Sequence, residues 1–447
     1  MQTKERELLK LLGVGFGIAV TIGGTIGTGI LRKPGPIASQ IGDPSLILLL
    51  WLAVGIYAIA GVLCAIELAV ALPKAGAWYV YAKRAFGGYF GFVTGITSWL
   101  GTVSALGFGA YTFSEYIAIL LPSTDTWIQE MAIALLILLC GFHWMGTRTS
   151  GASQEILAFI KAVGLFLFVV VCFIYGQSSI PQTSEQIIAS SVKPLTLVGI
   201  VGALQAIFYT YDGWHTATYF TEENKDPAKD IPRSMLWGVI LIILIYLLVN
   251  GAILYVLPLE SLAGSKLAAA DAVSLLFGEG YSKIITLFLM ISILGIVNAQ
   301  IMFAPRVIYS MSRDGLFFAQ ASKVNAAGTP SFAMPVTAML SVILILGGKG
   351  ICSRLSDIAT FFFVLSYAAG FAALIQLRRT EPDLPRPFRT PFVPALPVIL
   401  IVVSLAFLIA TIYSDPGSSL LAIGFMVISY PLFLLIQNKS QSAMHKE

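Results

Sequence analysis

Inside an apolar run from Leu11 to Leu31, the stretch Gly23-Gly24-Thr25-Ile26-Gly27-Thr28-Gly29-Ile30 carries four glycines in seven positions. Each glycine costs a helix about 1 kcal/mol relative to alanine. In hydrocarbon, non-helical backbone is tolerated only where protein buries it or a wet cavity touches it. The stretch is therefore expected to interrupt a helix and offer bare N–H and C=O groups to a ligand. The same glycines would equally suit close helix packing, because Gly13/Gly17 and Gly23/Gly27 have GxxxG spacing. A second polar point is Phe208-Tyr209-Thr210-Tyr211-Asp212-Gly213-Trp214-His215, where an acid and a glycine sit among aromatics in mid-run. Asp212 could select a cation, take up a proton or hold an unwound turn through local hydrogen bonds. His215 could be a satisfied core histidine or a proton relay. Lys161 lies about 12 Å into its own run, counted from Ser153 at about 1.5 Å per residue, from where it could snorkel to the surface.

The elements that must position these residues are membrane helices. The chain has 447 residues, 57% of them hydrophobic and 11% charged, against about 25% charged in soluble domains. Apolar runs recur along its whole length, which predicts an all-α polytopic membrane protein with twelve transmembrane helices. The expected spans are 11–39, 46–72, 89–121, 128–146, 152–176, 196–222, 233–257, 281–313, 331–347, 355–378, 392–413 and 417–437, with the longest links at 177–195 and 258–280. Lys4, Arg6 and Lys10 precede the first run, which is too long for a signal peptide and should remain as a span. Lys and Arg concentrate in the segments that share a side with both termini, among them Lys83, Arg84, Arg378 and Arg379, so both ends are expected to be cytoplasmic.

The two polar points fall in spans 1 and 6, each of which opens a five-span unit. Because five is odd, the second unit would enter the membrane inverted. One broken helix in each half points to a binding site near the midplane. The domain reading follows: residues 1–180 form the first repeat, 181–380 the second, and 381–447 the last two spans with a carboxyl-terminal tail.

Several classes are excluded or disfavoured. The low charge leaves no nucleic-acid footprint. No HExxH, GxSxG or Walker A pattern is present, so an enzyme is not expected. Cys64, Cys140, Cys172 and Cys352 lack metal-ligand spacing, and with three histidines no metal or other cofactor is implied. A channel would show a repeated filter motif or a ring of acids. Glu67 and Glu115 near span ends suit pathway-rim or packing acids. Trp51, Trp78, Trp99, Trp127, Trp144 and Trp237 fall near span ends, where interfacial aromatics belong.

Gly23 to Ile30 resembles the GxxxGxGI motif of the amino acid–polyamine–organocation (APC) superfamily. Tyr211-Asp212-Gly213-Trp214, Thr221-Glu222-Glu223 and Asp226-Pro227 through Ile231-Pro232-Arg233 resemble the corresponding run of its L-type amino acid transporter branch. Pro73-Lys74-Ala75-Gly76, the segment Arg306 to Gly315 and Pro382 to Phe388 are similar to further family landmarks, in the same order. The resemblance implies the five-plus-five inverted-repeat (LeuT-type) fold with broken helices 1 and 6, working by alternating access.

It also implies a site. A zwitterion needs N–H donors for its carboxylate and carbonyls for its ammonium, and the two sides of a helix break supply both. By the resemblance, Gly27, Thr28 and Gly29 meet the carboxylate, while the carbonyls of Thr25, Tyr209 and Asp212 face the ammonium. Tyr209 aligns with an aromatic outer gate, though it could be a packed aromatic. Lys161 stands where sodium-independent members place a lysine instead of sodium, near the Gly23 carbonyl, with Asn298 and the Gly295 carbonyl as partners on span 8. The expected function is sodium-independent secondary or exchange transport of small to medium neutral L-amino acids across the plasma (inner) membrane. A cationic amino acid or polyamine carrier is the alternative. Besides substrate and the lipid bilayer no partner is expected, and the chain is expected to be a monomer.

Overall fold

The computed structural model describes residues 7–27, 29–176 and 195–444. Among them helices account for most of the chain. The first half comprises α1 (Val14–Thr25), α2 (Gly29–Arg32), α3 (Pro34–Ile41), α4 (Pro44–Ala71), α5 (Trp78–Phe86), α6 (Gly88–Leu120), α7 (Ile128–Trp144) and α8 (Thr147–Tyr175). The second comprises α9 (Leu197–Tyr211), α10 (Pro227–Val256), α11 (Leu259–Gly264), α12 (Ala268–Phe277), α13 (Ser282–Arg313), α14 (Ala333–Leu346) and α15 (Lys349–Thr380), followed by α16 (Ala395–Ser414) and α17 (Pro416–Met444). Ten segments among the described residues are long and apolar enough to cross a membrane, the first being Val14–Arg32. Ala268–Phe277 and Ala333–Leu346 are shorter apolar helices.

Local chemistry accounts for the element ends. After α3, Gly42 adopts φ +68° and its N–H returns to the Ala38 carbonyl at 3.0 Å. Asp43 then caps α4 by accepting the Leu46 N–H at 2.6 Å, with Pro44 at the first helical position. Left-handed glycine, acidic cap and proline make a stop and a start in three residues. Thr196 caps α9 in the same way, accepting from the Gly199 N–H at 3.0 Å.

The centre of the bundle is α1, which packs against α8, α10 and α13. Val20, Ile26 and Ile30 in and just after it are fully buried. The rim exposes large apolar side chains such as Leu138, Phe159, Phe166 and Ile409, a surface suited to lipid tails.

One expected link gains detail and one expectation is corrected. The link 258–280 holds α11 and α12, because Leu262 and Ala268 to Ala270 bury themselves, with α11 against α3 and α12 against α13. Of the six tryptophans expected at the interface, Trp51, Trp78 and Trp99 are buried. Their rings fill the bundle: Trp51 packs on Tyr211 and Tyr246, Trp78 on Trp214 and Tyr367, and the Trp99 indole donates to the Thr337 hydroxyl at 3.0 Å. The link 177–195 lies almost wholly outside the described residues.

Candidate functional site

Helix α1 stops at Thr25, and Ile26 turns to ψ 101° before α2 resumes at Gly29. Helix α9 stops at Tyr211, and Asp212 turns to ψ 147°. Gly213 follows at φ +103°, a conformation that disfavours any side chain. A Cβ there would also run into the Gly24 carbonyl and lie 2.8 Å from the Thr25 nitrogen. A Cβ on Gly24 would in turn lie 2.8 Å from the Thr216 hydroxyl. The two stretches thus meet backbone to backbone, and glycine is what permits it.

Side chains from other helices occupy the carbonyls released at the end of α1. The Lys161 ammonium of α8 donates to the Gly23 carbonyl at 3.0 Å and the Ile26 carbonyl at 2.6 Å. Lys161 is fully buried, and Gly295 of α13 packs against its stem. Asn298 does not join this pair: its amide donates to Gln154 Oε1 at 2.7 Å and reaches the Ser153 hydroxyl at 3.4 Å. Gln154 lies against Gly23, where a Cβ would collide with its amide nitrogen. The Tyr246 hydroxyl of α10 lies 3.1 Å from the Thr25 carbonyl and 2.8 Å from the Thr210 carbonyl, bridging the last turns of α1 and α9. Ser292 of α13 stands 3.4 Å from the Gly27 carbonyl.

The remaining expected residues are placed as follows. Thr25 is buried, and its hydroxyl has no hydrogen-bond partner among the described residues. Gly27 faces Ile296, and Gly29 faces the Thr210 side chain so closely that a Cβ would collide. Thr28 lies outside the described residues. The Tyr209 ring packs edge-on to Phe108, with centroids 6.0 Å apart, and the Lys33 ammonium lies 5.6 Å from its centre. Asp212 accepts the Tyr367 hydroxyl of α15. His215 Nδ1 lies 3.3 Å from that hydroxyl, and His215 Nε2 lies 3.4 Å from the Tyr219 hydroxyl, which reaches Ser98 at 2.9 Å. His215 therefore sits in a buried polar chain that starts at Asp212.

The two ends of this centre differ. Beyond Gly29 lies a cavity of about 320 Å³ bordered by Arg32, Lys33, Phe108, Glu115, Ser356 and Asp357. At the opposite end the path is plugged. Leu12 pairs its backbone with Glu223 and Lys225, at 3.0 and 2.9 Å. The Arg306 guanidinium binds both Glu223 carboxylate oxygens and lies 4.3 Å from the centre of the Phe220 ring. Glu222 accepts Arg313 at 2.6 Å and the Ala75 N–H at 2.9 Å. Asp314 accepts Lys83 at 2.8 Å and the Tyr79 hydroxyl at 2.7 Å. Burial and the Asp314 carboxylate push the Tyr79 phenol well up, so it stays a hydrogen-bond donor.

The amino acid permease family model matches residues 17–436. The chain belongs to that family. It is 27% identical over 450 residues to the serine/threonine exchanger SteT of Bacillus subtilis, covering 99% of this chain and 100% of that one. It is 27% identical over 452 residues to the b(0,+)-type amino acid transporter 1 of Mus musculus, covering 97% and 89%. It is 26% identical over 444 residues to the large neutral amino acids transporter small subunit 2 of Mus musculus, covering 96% and 81%. Among solved structures, MhsT in complex with L-phenylalanine superposes with a TM-score of 0.63 at 14% identity, covering 91% of this chain and all of that one. That likeness shows a shared LeuT fold. The permease is an APC-superfamily amino acid transporter of the membrane and not an enzyme.

Sequence reading of the permease missed Tyr246, Ser292, Gln154 and Tyr367. Tyr246 left one signal, a lone hydroxyl in the apolar run Leu241 to Val249, since a buried phenol requires a partner. Glu222, Glu223, Arg306 and Arg313 stood inside recognised motifs, but nothing in their spacing showed that they pair.

Proposed function

We propose that the permease carries small to medium neutral L-amino acids, by secondary active transport or exchange, without sodium. The single observation that carries this reading is the contact between the two helix ends. Gly24 and Thr25 abut Gly213, and at the junction the Thr25 hydroxyl has no partner among the described residues. A buried hydroxyl without a partner costs about 1–3 kcal/mol, and a polar ligand at the junction would remove that cost. In this reading the protein has twelve transmembrane helices in a five-plus-five inverted repeat, 1–180 and 181–380, followed by 381–447. Helices 1 and 6 are the broken ones, and alternating access proceeds around them. Gly27, Thr28 and Gly29 donate to the substrate carboxylate, and the carbonyls of Thr25, Tyr209 and Asp212 receive its ammonium. Tyr246 shares the Thr25 carbonyl until the ligand arrives, and Tyr209 closes over the site as a gate.

Lys161 takes the place of sodium in this scheme. Its ammonium already satisfies the Gly23 and Ile26 carbonyls, and Asn298 supports it indirectly through Gln154 beside Gly23. The protein would lie in the plasma (inner) membrane as a monomer with both termini cytoplasmic. One relative's name describes a small subunit, so light scattering of the purified protein is the check on the monomer. A cationic substrate is the second reading, favoured by Asp212, which has no Lys or Arg in ion-pair contact among the described residues. Uptake of radiolabelled L-serine, L-leucine and L-arginine into liposomes, in sodium and in choline buffers, tests both readings. Neutral substrates should be taken up equally in the two buffers. A strict sodium requirement would refute the role given to Lys161, and uptake of arginine alone would establish the second reading.

A further inference from the structure

The connector between α15 and α16, residues 381–394, is fastened on one side and free on the other. On the fastened side, buried Glu67 of α4 accepts the Arg378 guanidinium at 2.8 and 2.6 Å, Arg386 at 3.3 Å and the Thr390 N–H at 2.6 Å. The Arg386 guanidinium also donates to the Leu384 and Glu381 carbonyls, both at 2.9 Å. On the free side stand Arg379, Arg389 and Phe392, all exposed. Arg378 donates to the Thr390 carbonyl at 2.9 Å, so the two exposed arginines, each next in sequence to one partner of that bond, leave the same fold of chain. Among the described residues neither forms an ion pair within 4.0 Å, with Asp383 of the connector or with any other acid, and Glu381 is taken by Arg84.

Phe392 is 81% exposed and holds φ +54°, a left-handed conformation that disfavours an aromatic residue. Such strain persists only where the surroundings fix it. Here the Thr390 clamp lies just before it, and its carbonyl receives the Leu396 N–H at 2.9 Å as α16 begins. One apolar span ends at Thr380 and the next begins at Ala395, so Phe392 and both arginines lie where a bilayer's headgroups meet its tails. Val398, Ile399 and Val402 expose further apolar surface on the first turns of α16. An aromatic ring suits that level of the membrane, and a guanidinium fork matches phosphate oxygens. A dissolved anion would use the arginines and leave the ring in water. We propose that the connector docks an anionic phospholipid, its phosphate between Arg379 and Arg389 and its acyl chains against Phe392. The proposal is independent of which solute the permease moves. Its consequence passes through Glu67: α4 runs from there to the turn whose Ala75 N–H is held by Glu222 in the closed end. A lipid that steadies the connector therefore steadies that end.

The test titrates lipid into full-length permease purified in a neutral detergent and follows the melting temperature. Dioleoyl phosphatidylglycerol should raise it, with a half-effect concentration that is read for each variant. Dioleoyl phosphatidylcholine, and glycerol phosphate without acyl chains, should raise it much less. Removing one basic contact to an anionic headgroup should increase the half-effect concentration about fivefold, and Arg379→Gln and Arg389→Gln should each do so. Phe392→Gly should melt at or above the wild-type temperature without lipid, because glycine relieves the left-handed strain, yet need more phosphatidylglycerol. Arg148→Gln removes an exposed cation at the start of α8 and should leave the half-effect concentration unchanged. Equal stabilisation by phosphatidylcholine would overturn the headgroup contact, and equal stabilisation by glycerol phosphate would replace the lipid with a dissolved anion. A wild-type half-effect concentration in both arginine variants, or a fivefold change in Arg148→Gln, would likewise overturn the site and leave only diffuse surface charge. A lower lipid-free melting temperature for Phe392→Gly would make the ring a packing residue and remove it from the site.

Discussion

Arg32, Lys33, Glu115 and Asp357 border open space at one end of the path, whereas at the other end Glu223 holds Arg306, Glu222 holds Arg313 and Asp314 holds Lys83. Both ends contain acids and bases in similar number, yet among the described residues only one end has joined them in ion pairs. The pairing at the closed end fixes segments that are far apart in the chain: the residues before α1, the turn after α4, the residues after α9 and the end of α13. Unpaired charges need water or a ligand, so this open space, the vestibule, stays wet. At the plug the Arg306–Glu223 pair is buried away from water, and the half-exposed Arg313–Glu222 and Lys83–Asp314 pairs tie its outer side. The difference is thus one of conformation written in charge, and in the alternating-access reading proposed above the two ends exchange these roles.

The sharpest way to break the comparison is to remove one partner at each end. Glu223 is fully buried and depends on Arg306. Arg306→Ala should therefore destabilise the protein by about 3–5 kcal/mol, the usual cost of stranding a buried charge. Lys33→Ala should cost about 0.5 kcal/mol or less, as a cavity-lining side chain without an ion-pair partner. Thermal unfolding in detergent checks both. Similar losses for the two variants would mean that the ends are not physically different.

Gly213→Ala attacks the point where the ends of α1 and α9 meet. Its φ of +103° is strained for alanine, and its methyl group would meet the Gly24 carbonyl. About 2–3 kcal/mol is expected from strain and overpacking together. Because that cost falls at the junction, serine uptake should drop at least tenfold while the protein remains folded by size-exclusion chromatography. Uptake at the wild-type rate would show that the junction does not need close backbone contact.

How much of this was visible in the sequence depends on distance along the chain. Glycines at 23, 24, 27 and 29 and the Asp212-Gly213 pair pointed to breaks because propensity acts locally; in the structure α1 ends at Thr25 and α9 at Tyr211. Lys161 stood out in the sequence as a charge within an apolar run, one that would need acceptors if it stayed inside. Its second acceptor, Ile26, was not legible, and neither were Gln154, Ser292 and Tyr246, which reach the same backbone from separate helices. The plug was hidden for the same reason: Glu223 and Arg306 are joined only by the fold. Hydrophobic runs gave the long helices but could not distinguish a link from packed short helices, as α11 and α12 show, nor an interfacial tryptophan from a buried one, as Trp51 shows.

Asp314→Asn should loosen the plug without stranding a fully buried charge. Asp314 is half-buried, and it loses the Lys83 ion pair while keeping an acceptor for Tyr79. About 1 kcal/mol is expected for a pair of this kind, or about fivefold in the population open at that end. In an Ala75→Cys background the thiol should react with a membrane-impermeant maleimide about fivefold faster once Asp314 is changed, because Ala75 is fully buried in the plug. An unchanged rate would mean that Glu222 and Arg306 alone keep this end closed.

The smallest expected effect separates the ends by salt. Charges in wet space are screened over about 8–10 Å at ordinary ionic strength, and buried pairs are screened much less. Raising choline chloride from low to high concentration should therefore increase KM for serine measured from the vestibule face by about twofold to threefold. The melting temperature, which reports the buried Arg306–Glu223 pair, should hardly move over the same range. Choline is needed because potassium or sodium could act as ligands in their own right. A salt-sensitive melting temperature with a salt-insensitive KM would reverse the assignment of wet and dry charge, since it would place the screened charges in the plug and the protected ones around Gly29.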